Sequence, residues 1–241
     1  MSQGSKNRTK KSQKKKYNVV ICAHPDDETI FFGGLIQKYK THPWLVACAT
    51  DGNADGMGAK RAEDFKKACR QLGVAETVMF GFPDVFNQRL NIEALQEKIA
   101  ELPEAFAIYT HGPVGEYGHP HHQDVGLATF QFYNKQRPQR PTYGVAYNCS
   151  PEVLVALSDE QFAKKAQILS QIYGSETQRF QNILPCTFSE GFCRFTLKEI
   201  ESLYAYYTQK KVPQKNDLIK YRWLLPFLEM HKDEPTGPRL F

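Results

Sequence analysis

The chain has 241 residues, 41% hydrophobic, 24% charged and 12% aromatic, a length and balance that suit one large domain with a substantial core and exclude a disordered or fibrous protein. No apolar run approaches the ~20 residues that cross a bilayer, and the N-terminus has no apolar segment of the secretory-signal kind. The net charge of +5 is no argument for nucleic-acid binding, because residues 1–16 hold seven positive charges and no negative one, which leaves the remainder at −2.

That Ser/Gln/Lys-rich leader cannot bury a core and reads as a disordered basic tail, solubilising or able to touch anionic surfaces. Residues 17–241 then read as a single domain. Strands are expected at Tyr17–Ala23, Trp44–Thr50, Thr77–Phe82, Ala105–Thr110 and Tyr143–Tyr147. Helices fall between them, at about Glu28–Tyr39, Ala59–Leu72 (stopped by Gly73), Ile92–Leu102 (stopped by Pro103) and Gln123–Asn134. This alternation predicts a Rossmann-like α/β fold, a mainly parallel sheet with helices on both faces. From about residue 151 the pattern changes to helices, Asp159–Tyr173 and Leu197–Gln209, read as a C-terminal helical extension whose Tyr-rich stretch Leu203–Tyr207 belongs to the core. There is no Walker loop and no GxGxxG after the first strand, so nucleotide binding has no support. Cys22, Cys48, Cys69, Cys149, Cys186 and Cys193 contain no CxxC pair and read as reduced thiols of a cytoplasmic protein; Cys186 and Cys193 are close enough to pair only in an oxidising compartment.

Open α/β sheets bind ligands beyond the carboxyl ends of their strands. After the first strand, His24-Pro25-Asp26-Asp27-Glu28 packs one imidazole and three carboxylates into five positions, where a helix cap needs one acid. After the fourth strand, Thr110–His122 holds four of the seven histidines: His111, His119, His121 and His122. Imidazoles with a carboxylate, without cysteine, form the donor set of a catalytic zinc that keeps a position open for water.

These two segments, Ala23-His24-Pro25-Asp26-Asp27-Glu28 and Tyr117-Gly118-His119-Pro120-His121-His122, together resemble the PIG-L/LmbE-like family of zinc-dependent N-acetylglucosaminyl deacetylases. The resemblance covers about residues 17–150 and extends to Arg61-Ala62-Glu63-Asp64, Leu72-Gly73 and Gly81-Phe82-Pro83-Asp84. It implies that His24, Asp27 and His122 hold zinc or another divalent transition metal. It further implies that Asp26 is the general base, that His119 carries a proton beside the oxyanion, and that Tyr117 assists carbonyl polarisation. Arg61 and Asp84 match substrate-contacting positions. The implied activity is removal of the N-acetyl group from an N-acetylglucosamine-type amino sugar or glycoconjugate by metal-activated water. Two departures stand out. His121 occupies a position where the family more often has Asp, Asn or Glu, and reads as a second-shell group, an extra proton carrier or, preferentially, a solvated side chain. The loop after the second strand reads Thr50-Asp51-Gly52-Asn53 in place of the commoner Thr-x-Gly-Glu.

The chemistry of the residues agrees with these roles, since amide hydrolysis needs a nucleophile at neutral pH and two adjacent aspartates can serve metal and water separately. A metal-dependent phosphoester hydrolase is the alternative enzyme class, but only Asp51 and Asp84 supply the further acids of a two-metal site. A non-catalytic sugar-binding module on the same fold would be expected to have lost Asp26 or a ligand, and all are present. Nothing in the sequence sets the oligomeric state.

Overall fold

The computed structural model describes residues 16–177 and 187–234; the expected tail, apart from Lys16, and Cys186 lie outside them. All six residues of β1 (Tyr17–Cys22) and all seven of β2 (Trp44–Thr50) are buried, as strands covered on both faces must be. Alternation in β1 divides the core: Val20 and Cys22 join a layer with Phe32, Phe65, Ile168 and Phe192, while Val19 and Ile21 join Leu95, Ile99 and Val125 on the opposite face.

The remaining elements are α1 (Asp27–Ile30), α2 (Gly33–Lys38), α3 (Gly58–Leu72), β3 (Glu76–Phe82), α4 (Ile92–Ala100), β4 (Ala105–Thr110), α5 (Pro120–Gln136), β5 (Thr142–Val145), β6 (Val153–Ala156), α6 (Asp159–Gln171), α7 (Gly174–Thr177), β7 (Ser189–Cys193), α8 (Leu197–Gln209) and α9 (Leu225–Met230). Among the described residues the strands build a seven-stranded sheet in the order β3-β2-β1-β4-β5-β7-β6. Pairing is parallel from β3 to β5, and β7 runs antiparallel to both β5 and β6. The strand order reverses between β1 and β4, which opens a crevice at their carboxyl ends.

Three expectations need correction. The C-terminal extension is not helical alone, because β6 and β7 extend the sheet; strands of four and five residues are too short to show a period, and β7 is specified by its non-local partner β5. Glu28–Tyr39 is not one helix, for Phe32 leaves helical geometry (φ −130°) ahead of Gly33 and Gly34. A Cβ on Gly34 would lie 2.5 Å from Leu157, so close packing selects glycine there. The helix expected from Gln123 begins at Pro120, where a proline at the first position needs no partner for its missing N–H.

A buried ion pair ties the extension to the sheet. Lys165 Nζ of α6 is 2.7 Å from Glu190 Oε1 of β7, and the Glu190 carboxylate also accepts from the Gly34 and Leu35 N–H groups at the start of α2. The other face of α5 packs under α8 through Phe130, Leu203, Tyr206 and Tyr221, which places Leu203 and Tyr206 in the core as expected. Among the described residues no helix is long and apolar enough to cross a membrane.

Candidate metal centre

Both motifs arrive at the crevice between β1 and β4. Asp27 opens α1 directly after β1, and His122 lies in the first turn of α5 after the β4 loop. The Asp27 Oδ2 atom is 3.4 Å from His24 Nδ1 and 3.4 Å from His122 Nε2. Donors 2.0–2.1 Å from one ion in a tetrahedral set stand about 3.4 Å apart, so these spacings suit zinc.

The protonation of His122 follows from its second nitrogen. Its Nδ1 is 2.6 Å from Glu116 Oε2, an acceptor, so Nδ1 carries the proton and Nε2 presents a lone pair. That Nε2 is buried and finds no hydrogen-bond partner among the described residues. An unpartnered lone pair facing a buried carboxylate is costly for the protein alone and is relieved by a cation. Glu116 also accepts from His111 Nδ1 (2.9 Å) and from the Gly112 N–H (2.9 Å). Burial works against its charge, but the His111 and His122 imidazoles more than offset this and hold the carboxyl at about 2.

Among the described residues, three clusters of His and acid side chains could hold an ion: His24/Asp27/His122, His111/Glu116/His122 and His24/His119/His121. In the second, both imidazoles already spend Nδ1 on Glu116. In the third, His119 Nδ1 accepts from the His121 N–H at 3.2 Å as the N-cap of α5, which puts its proton on Nε2. His122 belongs to the first and second clusters, and it is in the first that its unpartnered Nε2 faces a carboxylate, Asp27 Oδ2 at 3.4 Å.

Asp26 sits beside it in a strained backbone, φ 117° and ψ −33°, where a residue with a Cβ is uncomfortable. Glu28, to which the sequence reading gave no role, holds this turn: its Oε2 accepts from the Asp26 N–H (3.0 Å), and its Oε1 accepts from Thr29 Oγ1 and from the Tyr173 hydroxyl of the extension. Burial pushes the Glu28 carboxyl up to about 7.

Arg61 and Asp84 are more enclosed than open substrate contacts would be. Arg61 donates to the Pro25 carbonyl (3.0 Å) and the Gly52 carbonyl (3.2 Å), and its guanidinium lies 3.5 Å from Asp26 and 3.7 Å from Asp84. Asp84 Oδ1 points at His24 and His121. Asp51, in the departing loop, caps the Asn53 and Asp84 N–H groups and so ties that loop to the one after β3. Tyr117 is exposed, with its ring 5.3 Å from that of His122. His121 corrects the sequence reading, since it is only 2% exposed and not a solvated side chain. His111 and Glu116 were not singled out as site residues. The legible signals were a histidine directly after an apolar strand and an acid inside the histidine-rich segment.

Residues 19–133 match the family model PIG-L, GlcNAc-PI de-N-acetylase. Those residues, just under half of the chain, are similar to that family. It is 37% identical over 81 residues to a probable N-acetylglucosaminyl-phosphatidylinositol de-N-acetylase of Dictyostelium discoideum, covering 32% of this chain and 31% of that protein. It is 30% identical over 139 residues to a 1D-myo-inositol 2-acetamido-2-deoxy-alpha-D-glucopyranoside deacetylase of Corynebacterium diphtheriae, covering 43% and 47%. The match therefore spans less than half the length of either relative. Among solved structures, the zinc-inhibited form of a teicoplanin deacetylase shares the fold with a TM-score of 0.58 at 12% identity, covering 80% of this chain and 93% of that one. A 4-carboxy-2-hydroxymuconate hydratase of Pseudomonas putida shares it too, at a TM-score of 0.50 and 15% identity, covering 75% and 98%. The fold thus serves more than one chemistry, and function must be argued from the site.

Proposed function

We propose that this protein is a metal-dependent de-N-acetylase that cleaves the acetamide of an N-acetylglucosamine-type glycoconjugate. The observation that carries the reading is the unpartnered His122 Nε2, 3.4 Å from Asp27 Oδ2, within residues that are similar to the PIG-L family. The relatives named above act on acetamido sugars linked to inositol or to phosphatidylinositol, and that is the substrate class proposed here.

His24, Asp27 and His122 would hold the ion, zinc by the chemistry of the donor set. When bound, a zinc-class ion supplies Lewis acidity that polarises the acetyl carbonyl and brings the pKa of a water molecule to about 7. Asp26, held near the metal ligands by its turn, takes the proton of the attacking water. His119 keeps its proton on Nε2, because Nδ1 caps α5, and that N–H is the hydrogen-bond donor offered to the developing oxyanion, while the proton that Asp26 took from the water passes to the leaving amine. Burial and the neighbouring His122, His24 and His121 imidazoles hold the His119 pKa far below its usual value, so it works from the neutral form. Tyr117 closes the same space from the exposed side and assists carbonyl polarisation. Arg61 and Asp84 brace the Asp26 turn and the β3 loop, and reach substrate only where that cleft admits a hydroxyl.

The proposal is tested with the purified full-length chain, zinc and N-acetylglucosaminyl-inositol, following acetate release. Stoichiometric zinc with acetate release that stops in Asp26→Ala is the expected result. Release of phosphate from a phosphoester, with the acetamide untouched, would replace this reading by the phosphoester hydrolase.

A further inference from the structure

We propose that His121 is a positioning residue that fixes the tautomer of His24 and so decides which His24 nitrogen is offered to the metal. The inference rests on the assignment of His24 as a ligand. It begins at a backbone carbonyl. Gln88, in the loop after β3, places its carbonyl oxygen 2.8 Å from His121 Nε2. A carbonyl only accepts, so the His121 proton sits on Nε2 and the Nδ1 lone pair is exposed. His24 Nε2 lies 3.0 Å from that Nδ1. The His24 proton must therefore sit on Nε2, and His24 Nδ1 is left as a lone pair 3.4 Å from Asp27 Oδ2.

Together with His122 Nε2, three acceptors then converge with no proton among them. Both rings are enclosed, His24 at 7% exposure and His121 at 2%, so water does not compete freely for these nitrogens. Two carboxylates flank the pair, Asp84 Oδ1 at 3.6 Å from His24 Nε2 and 3.5 Å from His121 Nδ1, and Asp27 Oδ2 at 3.4 Å from His24 Nδ1; the nearest acceptor to His24 is His121 Nδ1 at 3.0 Å, which selects the Nε2–H tautomer. Metal-ligating histidines ordinarily donate their second N–H to a carboxylate, carbonyl or water. Here an imidazole takes that place, and through Gln88 the relay runs into the β3 loop, which lines the cleft with Asp84, Phe86, His119 and His121.

The test uses the full-length chain stripped of metal, with imidazole 15N labelled. Long-range 1H–15N spectra should show His24 and His121 both protonated at Nε2. In His121→Phe, which keeps a ring but no acceptor, the His24 proton should distribute onto Nδ1. Zinc affinity, measured by competition with a chelating dye, should fall roughly 10–100-fold in His121→Phe. His121→Asp, which restores an acceptor for His24 Nε2–H, should recover most of that loss. Apo-protein melting temperatures separate this effect from simple loss of packing. A His24 proton on Nδ1 in the wild type, or unchanged zinc affinity in His121→Phe, overturns the proposal. Should the wild type show the expected tautomers yet bind no zinc, the relay stands and the ligand assignment of His24 fails.

Discussion

Asp26 and Asp27 are chemically identical neighbours, and their backbones separate them. Asp27 is helical and faces the imidazoles, whereas Asp26 is held at φ 117° by the Glu28 clamp. Such strain costs about 1–3 kcal/mol. Replacing Asp26 by Gly should relieve it while replacement by Ala should not. The Gly variant is therefore expected to be about 1 kcal/mol the more stable of the two in denaturant titration, after the ~0.5–1 kcal/mol entropic cost of glycine is subtracted. Both variants should retain zinc and lose acetate release by 10²–10⁴-fold, the range for a missing general base. By contrast, His122→Ala removes a donor and should lose the metal itself, read by elemental analysis after gel filtration.

At the scale of elements, the site depends on how closely α5 approaches β4. A Cβ on Gly126 of α5 would come within 2.9 Å of the His111 carbonyl oxygen at the end of β4, so Gly126→Ala must push the helix outward. Overpacking of this kind costs roughly 1–3 kcal/mol. Because His121 and His122 ride on the first turn of α5, zinc affinity should fall along with stability, which isothermal titration of the variant would measure. The tie between α6, β7 and α2 supplies a second case. Lys165→Met leaves the buried Glu190 carboxylate with backbone donors but no cation, and breaking one partner of a buried pair costs about 3–5 kcal/mol. A fall in melting temperature of roughly 10 °C is expected; no measurable fall would show that α2 alone satisfies Glu190.

Over the whole molecule, the described residues from Tyr17 onward are proposed to fold as one unit. Phe192 and Val155 of the extension lie in the same core layer as Val20 of β1, and Tyr173 reaches the Glu28 clamp. A chain ended at residue 150 should therefore fail to give a folded product by circular dichroism, although it contains both motifs. Removal of residues 1–16 should do the opposite, leaving turnover on a small soluble amino sugar unchanged. These residues bring no carboxylate or imidazole, and removing them should weaken only salt-sensitive binding to an anionic lipid or polymer, an attraction screened over a Debye length of about 8 Å at physiological salt.

What was legible in the sequence was what short range dictates. Continuous apolar runs announced β1, β2 and β4, and Gly73 closed α3 in a left-handed conformation that glycine adopts without cost. The dense His/Asp segments pointed to metal or proton-transfer chemistry at strand ends, and their resemblance to the PIG-L/LmbE-like motifs implied His24, Asp27 and His122 as ligands. Tertiary structure decided the rest. The strands β6 and β7 exist because β5 offers an unpaired edge, a condition invisible in four- or five-residue segments. Glu116 became the anchor of two imidazoles by folding back across the turn before α5, where a positive φ of 53° aims it at His111 and His122. His121 turned from an apparently solvated group into a buried relay because Gln88, thirty-three positions earlier, supplies a carbonyl at 2.8 Å. Residue type limits what a side chain can donate or accept; only the partner that the fold brings to it decides which nitrogen holds the proton.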